Sequence, residues 1–324
     1  MSRLIRFERT GGPEVLQWVE SDLAPPAPGE AQVRHHAVGL NYIDVYHRSG
    51  LYPVPLPSGL GLEAAGVVEA VGAGVSDLLP GDRVAYAGGP LGAYAECRNI
   101  PADRLVRLPD ALSFEQGAAM MLQGLTAQYL LRRTYRVQPG DTILIHAAAG
   151  GVGLIVCQWA KALGATVIGT VGSDEKAELA RLHGCDHPIV HTRECISSRV
   201  RELTGGEGVP VVYDSIGRDP FMDSLACLRP MGMMVSFGNA SGPVETFDPG
   251  LLGNMGSLFL TRPSLFTYSA RRQDLLAMAD ELFSIVLSGQ VRLSINQRFP
   301  LHDAAVAHQE LEARRTTGST VLVP

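Results

Sequence analysis

The sequence lacks any long apolar run. Nowhere do about 18 apolar residues follow one another, which is the length a membrane-spanning helix needs. The first ten residues, MSRLIRFERT, also lack an apolar core long enough for a signal peptide. We therefore expect a cytoplasmic protein with no membrane contact.

Cysteine is scarce and positive charge is not concentrated. The five cysteines are odd in number, widely spread and free of any C-x-x-C pair, so neither a disulfide framework nor a structural zinc site is indicated, and each is interpreted as a small buried side chain. The nine histidines form no tight ligand pair, because the adjacent His35 and His36 would face opposite sides of a strand. A formal net charge of −6 and the absence of a long basic run argue against binding to nucleic acid.

A glycine-rich turn between an apolar strand and an amphipathic helix is the most informative positive feature. Thr142 to Ala147 reads as a buried parallel strand, and Gly151 to Leu163 has apolar residues at helical spacing. Ala148, Gly150 and Gly153 occupy the positions of a G-x-G-x-x-G fingerprint, with alanine in place of the first glycine. Such a turn exposes helix N–H groups to a pyrophosphate. A fingerprint alone is weak evidence, and a turn that is merely glycine-rich is the alternative.

Strands and helices alternate after this turn. The predicted elements are a β-branched strand after Gly164, a helix Asp174 to His183, a strand Pro188 to Val190, a helix Glu194 to Thr204, a strand Val209 to Ser215, a helix Pro220 to Leu228 and a strand Met233 to Phe237. This alternation is typical of a doubly wound parallel sheet, and we place such a Rossmann domain at residues 124–264.

The second strand of the predicted domain ends without the carboxylate that usually binds the adenosine ribose of NAD. Gly172, Ser173 and Lys176 follow instead, and they offer N–H groups, a hydroxyl and a cation to a 2′-phosphate. NADPH is therefore favoured over NADH. The alternative is that Asp174 or Glu175 binds the ribose and that Lys176 is an ordinary surface residue.

The first part of the chain, residues 1–123, has a different texture. Short β-like runs are split by glycine and proline, which predicts a partly open barrel. The predicted strands are Ala31 to Gly39, Ala65 to Val71, Asp82 to Tyr86 and Ala93 to Asn99, with Leu293 to Phe299 and Ser319 to Val323 at the far end. We expect residues 265–324 to return to this first domain.

Many short motifs along the whole chain carry a family resemblance. They are GGPEVL at 11–16, NYIDVY at 41–46, RSGLYP at 48–53, PSGLGLEAAG at 57–66, GDRV at 81–84, LQGLTA at 122–127, HAAAGGVG at 146–153, VYDSIG at 212–217, SFGN at 236–239 and TRPS at 261–264. The chain resembles the medium-chain dehydrogenases/reductases, and within them the zinc-independent, zeta-crystallin-like quinone oxidoreductases, the bacterial NADPH:quinone reductases most of all. The resemblance implies an α/β fold with a GroES-like catalytic domain beside the Rossmann domain.

Zinc-dependent members of that superfamily bind their catalytic metal with residues that this chain lacks. Asn41 stands where they have cysteine, and Leu62 stands where they have histidine. Glu63 and Asp44 alone do not make a three-ligand site. We therefore expect no metal and a reaction that needs little polarisation of the acceptor, namely transfer of reducing equivalents from NADPH to a quinone.

The resemblance also implies which residues form the site, in a cleft between the two domains. Asn41, Tyr46 and Tyr52 would border the nicotinamide and the substrate, and either tyrosine would donate a hydrogen bond to a quinone oxygen. The alternative is that both rings are packing residues. The implied cofactor shell is Asn41, Thr126, Tyr129, Gly150, Gly151, Val152, Gly172, Ser173, Lys176, His191, Phe237, Gly238, Asn239, Arg262, Ser264 and Arg314. Related enzymes often have tyrosine in place of His191, so a structural loop histidine is the alternative there.

Three functions stay open at this point. The first is a zinc-independent NADPH:quinone oxidoreductase whose partner is a small-molecule quinone or another electrophilic acceptor. The second keeps the cofactor but reduces α,β-unsaturated aldehydes or ketones, and the third is an NADPH-binding structural protein with little turnover. Relatives pair their Rossmann sheets edge to edge, which implies a homodimer by analogy, and Phe259 and Leu260 near the sheet edge would serve a partner subunit.

Overall fold

The computed structural model describes all 324 residues, which fold into two compact units. The first unit comprises Met1–Leu125, Ser269–Leu287 and Leu293–Pro324, and the second comprises Thr126–Tyr268 and Ser288–Arg292. These bounds extend the predicted 124–264 domain in two places. Tyr268 at the end of the first segment stacks its ring on that of Tyr129, in the same unit, with centroids 4.6 Å apart. Arg292 at the end of the second segment accepts a hydrogen bond on its carbonyl oxygen from Gln158 Nε2, also in this unit, at 3.0 Å.

The strands and helices are numbered in chain order. The strands are β1 (Ser2–Phe7), β2 (Gln17–Ser21), β3 (Glu30–Leu40), β4 (Ser58–Gly59), β5 (Glu63–Val71), β6 (Arg83–Ala87), β7 (Cys97–Pro101), β8 (Val106–Arg107), β9 (Thr142–Ile145), β10 (Thr166–Val171), β11 (His187–Val190), β12 (Val209–Asp214), β13 (Leu228–Ser236), β14 (Phe259–Thr261), β15 (Ile295–Pro300) and β16 (Ser319–Val323). The helices are α1 (Tyr42–Ser49), α2 (Phe114–Tyr129), α3 (Gly151–Ala162), α4 (Asp174–Leu182), α5 (Ile196–Leu203), α6 (Phe221–Cys227), α7 (Gly250–Asn254), α8 (Leu265–Tyr268), α9 (Arg272–Leu287) and α10 (Ala304–Glu312).

The second unit is built on a six-stranded parallel sheet. Its strand order is β11-β10-β9-β12-β13-β14, and every neighbouring pair is parallel. The predicted doubly wound sheet is thus confirmed. The chain winds outward from β9 through β10 to β11 and then returns to place β12 on the other side of β9, so the switch of direction falls between β9 and β12. Crevices at such a switch point are where open α/β sheets bind ligands.

One predicted strand start in this sheet is wrong. β13 begins at Leu228 rather than at Met233, because Leu228 already pairs with Val209. A register shift follows before Met233 pairs with Val211, and Met231 within the shift takes a φ of 58°. The proline and glycine of this segment, which read as a turn in the sequence, accommodate the irregularity instead.

The first unit contains a sheet that is mostly antiparallel. Its strand order is β15-β16-β3-β5-β6-β8, with β7 also paired to β3, and a separate small sheet has the order β2-β1-β4. The larger sheet ends at β15 and at β8 without closing, as a partly open barrel requires. The C-terminal β16 pairs with β3, so the end of the chain completes the sheet begun by the first hundred residues.

Two further expectations need correction. The predicted strand Ala93 to Asn99 starts only at Cys97, because the backbone N–H groups of Ala93 and Tyr94 donate to loop carbonyls at Gly61 and Leu60 instead of to a neighbouring strand. Cys195 is exposed, whereas the other four cysteines are buried as expected. It lies at the N-cap of α5, outside the apolar layers of the sheet.

Candidate functional site

The predicted cofactor residues of the second unit gather at one edge of its parallel sheet. Gly150 follows β9, Ser173 follows β10, His191 follows β11, Phe237 follows β13 and Arg262 follows β14. Because the strands are parallel, their carboxyl ends meet at the same edge, and the sheet brings these positions together. Gly151, Val152, Gly172, Lys176, Gly238, Asn239 and Ser264 extend the same loops, while Thr126 and Tyr129 lie at the end of α2.

The turn after β9 is tightly constrained. Gly150 is the N-cap of α3, and its N–H donates to the Ala147 carbonyl at 2.9 Å. Ala147 takes a φ of 54°, in the left-handed region that alanine rarely adopts. A Cβ at Gly153 would lie 2.3 Å from the Ala147 oxygen, so only glycine lets α3 approach the strand this closely. The first N–H groups of α3 have no intrahelical acceptors and carry positive dipole, which suits a pyrophosphate.

The loop after β10 has acidic residues, but both have protein partners. Arg193 makes two hydrogen bonds to the Asp174 carboxylate, at 2.8 and 2.5 Å. A hydrogen bond from the Ser173 hydroxyl lowers the pKa of Glu175. Ser173 also caps α4, because its Oγ accepts from the Lys176 N–H at 3.3 Å. With Asp174 paired to Arg193, the loop offers N–H groups, the Lys176 ammonium and, when its hydroxyl rotates away from Glu175, Ser173. This set fits a phosphate better than a ribose hydroxyl.

Two buried polar residues near the carboxyl ends of β9 and β12 hold the neighbouring segments in place by hydrogen bonds. His146 bonds Thr170 Oγ1 and Ser224 Oγ, both at 2.9 Å, and burial lowers its pKa to about 3, so it is a neutral structural residue. Asp214, at the end of β12, accepts N–H bonds from Ile216 and Gly217 and fixes the following loop. Asp214 is not among the predicted site residues, although an acidic residue at the end of an apolar strand is a signal that the sequence carries.

In the first unit, Asn41 is the hub of a buried polar network. It caps α1, and its backbone N–H donates to Asp44 Oδ2 at 2.9 Å. Its side-chain Nδ2 donates to Glu63 Oε2 at 2.6 Å, and its Oδ1 accepts from Gln123 Nε2 at 3.2 Å. Glu63 also accepts from the Leu122 N–H at 2.7 Å. The sequence indicates Glu63 only as a zinc-ligand candidate and does not link it to Gln123, a polar residue among apolar neighbours on α2.

Tyr46 and Tyr52 lie together, close in sequence to Asn41. Their rings meet edge to face with centroids 5.1 Å apart, and the Tyr52 N–H donates to the Tyr46 carbonyl at 3.0 Å. Tyr46 is buried and Tyr52 is half-buried. The other predicted cofactor residue in this unit besides Asn41 is Arg314, which follows α10, is exposed and has a φ of 59°.

Hydrogen-bonding groups rather than metal ligands define both sets of residues. No three His, Cys, Asp or Glu side chains are grouped so that they could hold a metal ion. None of the helices combines the length and apolarity that crossing a bilayer demands.

Two sequence families match parts of the chain. A family described as alcohol dehydrogenase GroES-like domain matches residues 27–110. A family described as zinc-binding dehydrogenase matches residues 151–283. The first match falls in the first unit, and the second begins at the glycine turn.

Individual proteins match the chain over nearly its whole length. A quinone oxidoreductase of Pseudomonas aeruginosa is 58% identical, with 100% of both chains covered. A 2-haloacrylate reductase of Burkholderia is 47% identical, with 98% of both covered. The crystal structure of Escherichia coli quinone oxidoreductase complexed with NADPH superposes with a TM-score of 0.98 at 53% identity, with 100% of both chains covered.

A histidine adjoins the Asn41 network through Asp44. The Tyr94 hydroxyl donates to Asp44 Oδ2 at 3.0 Å and lies 3.1 Å from His308 Nε2. Because the single hydroxyl proton is used on Asp44, Nε2 of His308 must be the donor to Tyr94. Burial, with Arg48 nearby, lowers the pKa of His308 to about 3, so the folded protein holds it neutral.

This burial predicts a pH-dependent loss of stability. Below the ordinary histidine pKa of about 6.5 the unfolded chain binds a proton that folded His308 refuses, so stability falls as the pH falls. His308→Gln keeps a donor towards Tyr94 and does not titrate. Between pH 7 and pH 5, wild type should lose about 2 kcal/mol more unfolding free energy than His308→Gln. Urea denaturation at the two pH values measures this, and equal losses would refute the assignment.

Proposed function

The chain belongs to the quinone oxidoreductase family, and on that premise we propose that it is an oxidoreductase that transfers reducing equivalents from NADPH to a quinone. The observation that carries the proposal is the carboxyl edge of the second unit. There a helix N-terminus behind Gly150 and the Ser173–Lys176 loop present N–H groups, a hydroxyl and a cation. The Escherichia coli relative, whose crystal structure is of a complex with NADPH, has the same fold over the whole chain.

We propose that the residues predicted from the sequence hold this cofactor. The first turn of α3 would bind the pyrophosphate, and Gly172, Ser173 and Lys176 would bind the 2′-phosphate. The remaining proposed contacts are Asn41, Thr126, Tyr129, His191, Phe237, Gly238, Asn239, Arg262, Ser264 and Arg314. Arg193 assists indirectly, because its two bonds to Asp174 keep that carboxylate from repelling the phosphate.

The protein's part in the reaction is positioning and hydrogen bonding. When bound, NADPH would supply the hydride, and a quinone needs little activation because its carbonyl carbons and ring are already electrophilic. Asn41 offers a carboxamide whose orientation is set by Glu63 and Gln123. We propose that Tyr46 or Tyr52 donates a hydrogen bond to the quinone oxygen as negative charge develops on it.

A second candidate acceptor is an activated carbon–carbon double bond. The relative named 2-haloacrylate reductase, 47% identical, supports it. An alkene conjugated to a carbonyl or carboxyl group accepts hydride at its β-carbon by the same kind of transfer, with the developing charge again on oxygen. This alternative keeps the cofactor and the site and changes only the substrate.

We propose that the enzyme works in the cytoplasm as a homodimer joined through β14. This strand is the last of its sheet, with one edge unpaired in the unit, and it exposes Phe259 at 57% and Leu260 at 37%. An apolar edge strand of this kind favours pairing with a second copy.

Sedimentation velocity should show a dimer for wild type and a monomer for Phe259→Asp, and a wild-type monomer at micromolar concentration would exclude the proposal.

The proposed activity predicts rapid NADPH oxidation with 1,4-benzoquinone by purified protein treated with EDTA. An aliphatic enone, a 2-haloacrylate and a no-acceptor reaction are run in parallel, and absorbance at the NADPH band is followed. Quinone turnover supports the first candidate. Turnover of the alkenes without quinone turnover selects the second, and tight NADPH binding with no turnover on any acceptor would leave only a binding role.

Cofactor preference predicts a selective effect of Lys176→Ala. A charged hydrogen bond of about 1.5–3 kcal/mol to the 2′-phosphate would be lost, so KM for NADPH should rise about tenfold or more. KM for NADH should stay nearly unchanged, because NADH has no phosphate there. The chain has one other lysine, Lys161, which pairs with Asp186 and serves as the matched control. Equal effects of Lys176→Ala on both cofactors would contradict the assignment.

A further inference from the structure

Four buried polar side chains of the first unit form one directed hydrogen-bond chain. Ser319 Oγ donates to Gln123 Oε1 at 2.7 Å, and Gln123 Nε2 donates to Asn41 Oδ1 at 3.2 Å. Asn41 Nδ2 then donates to Glu63 Oε2 at 2.6 Å. All four residues are buried, and Glu63 has no exposed surface. Each bond in this chain therefore runs in the same direction, from the hydroxyl towards the carboxylate.

The carboxylate fixes that direction. An ionised carboxylate accepts on both oxygens, and Glu63 does so, because Oε1 accepts from the Leu122 N–H at 2.7 Å while Oε2 accepts from Asn41. Burial raises the pKa of Glu63 to about 8 even with these two N–H bonds, but the geometry is that of a carboxylate, because a proton on either oxygen would compete with the N–H group that this oxygen accepts from. A glutamine at this position accepts with one atom only, so its NH₂ group would face either the Leu122 N–H or the Asn41 NH₂ group.

The backbone is shaped to admit this carboxylate. A Cβ on Gly39 would lie 2.2 Å from Glu63 Oε2 and 2.3 Å from the Ala118 carbonyl oxygen. Gly39 lies near the end of β3, two residues before Asn41. The glycine thus leaves the space in which Glu63 reaches the Asn41 carboxamide. Asn41 is held on its other side as well, through its backbone N–H and Asp44.

We propose that Glu63 is a positioning residue that sets which way the Asn41 carboxamide faces, and hence where Asn41 presents its donor and its acceptor. This rests on the proposed function, in which Asn41 contacts the cofactor and borders the acceptor. Gln123 favours the same orientation of Asn41, because its NH₂ group donates to Asn41 Oδ1. Ser319 orients Gln123 in turn by donating to its Oε1. A rotated carboxamide exchanges NH₂ and oxygen, so a ligand that met a donor would meet an acceptor.

Glu63→Gln tests the idea with little change in volume. The introduced carboxamide would keep the bond from Leu122 by facing its oxygen that way, and its NH₂ group would turn the Asn41 carboxamide round. Gln123 would turn as well, because the Ser319 hydroxyl accepts from it while donating to the Ala119 carbonyl, an acceptor it already has at 3.2 Å. The reversed chain is fully bonded, so we expect nearly unchanged thermal stability with kcat/KM for quinone lowered about tenfold.

A double-mutant cycle separates positioning from a general structural role. If Glu63 acts through Asn41, Glu63→Gln should have no further effect on kcat/KM in an Asn41→Ala background. Effects that multiply in the double variant, or full activity in Glu63→Gln, would overturn the proposal. Glu69→Gln, an exposed change of the same kind, is the control; Glu69 pairs with Arg34 outside this network.

A second variant and a second readout keep the proposal testable if the first experiment fails. If Glu63→Gln folds poorly, Glu63→Gln/Gln123→Glu restores a carboxylate at the other end and locks the reversed chain; it should be stable and still impaired, whereas recovered activity would overturn the proposal. If wild type does not reduce quinones, the proposed function fails, and the same cycle is then read in NADPH dissociation constants measured by fluorescence. Non-additive losses of affinity would sustain the positioning role, and additive or absent losses would refute it.

Discussion

The approach of α3 to the end of β9 is the contact on which the cofactor site depends. Position 153 has no room for a Cβ because the Ala147 oxygen would lie 2.3 Å from it. The helix can begin this close to the strand only because Ala147 turns into the left-handed region and Gly150 closes the turn. The result is a helix N-terminus held at the carboxyl edge of the sheet, where its N–H groups and dipole suit an anionic ligand.

The two units supply different chemistry. The second offers backbone N–H groups, a lysine and arginines at a sheet edge, which suits a polyanionic dinucleotide. The first offers a carboxamide and two tyrosines near buried carboxyl groups, and burial raises the pKa of Asp44 to about 7 and that of Glu63 to about 8. The carboxamide and the tyrosine hydroxyls are neutral hydrogen-bonding groups, which are adequate for an acceptor that is itself uncharged and electrophilic.

Much of this followed from the sequence, for identifiable reasons. The alternation of apolar strands with amphipathic helices predicted the parallel sheet, and the glycines after β9 predicted the turn, because both are local patterns. The early start of β13 escaped prediction, since its pairing with Val209 tolerates a bulge that resembles a turn in sequence. The Glu63–Asn41–Gln123 network also escaped it, because its members are 22 and 82 residues apart and no local pattern links them.

We infer that the loops after β9 and β10 bind a dinucleotide that carries a 2′-phosphate. The most direct measurement is calorimetric titration of the protein with NADPH and with NADH under the same buffer and salt. We expect NADPH to bind at least about tenfold more tightly than NADH, a difference that shrinks as salt screens the phosphate. Equal affinities, or tighter binding of NADH, would contradict it.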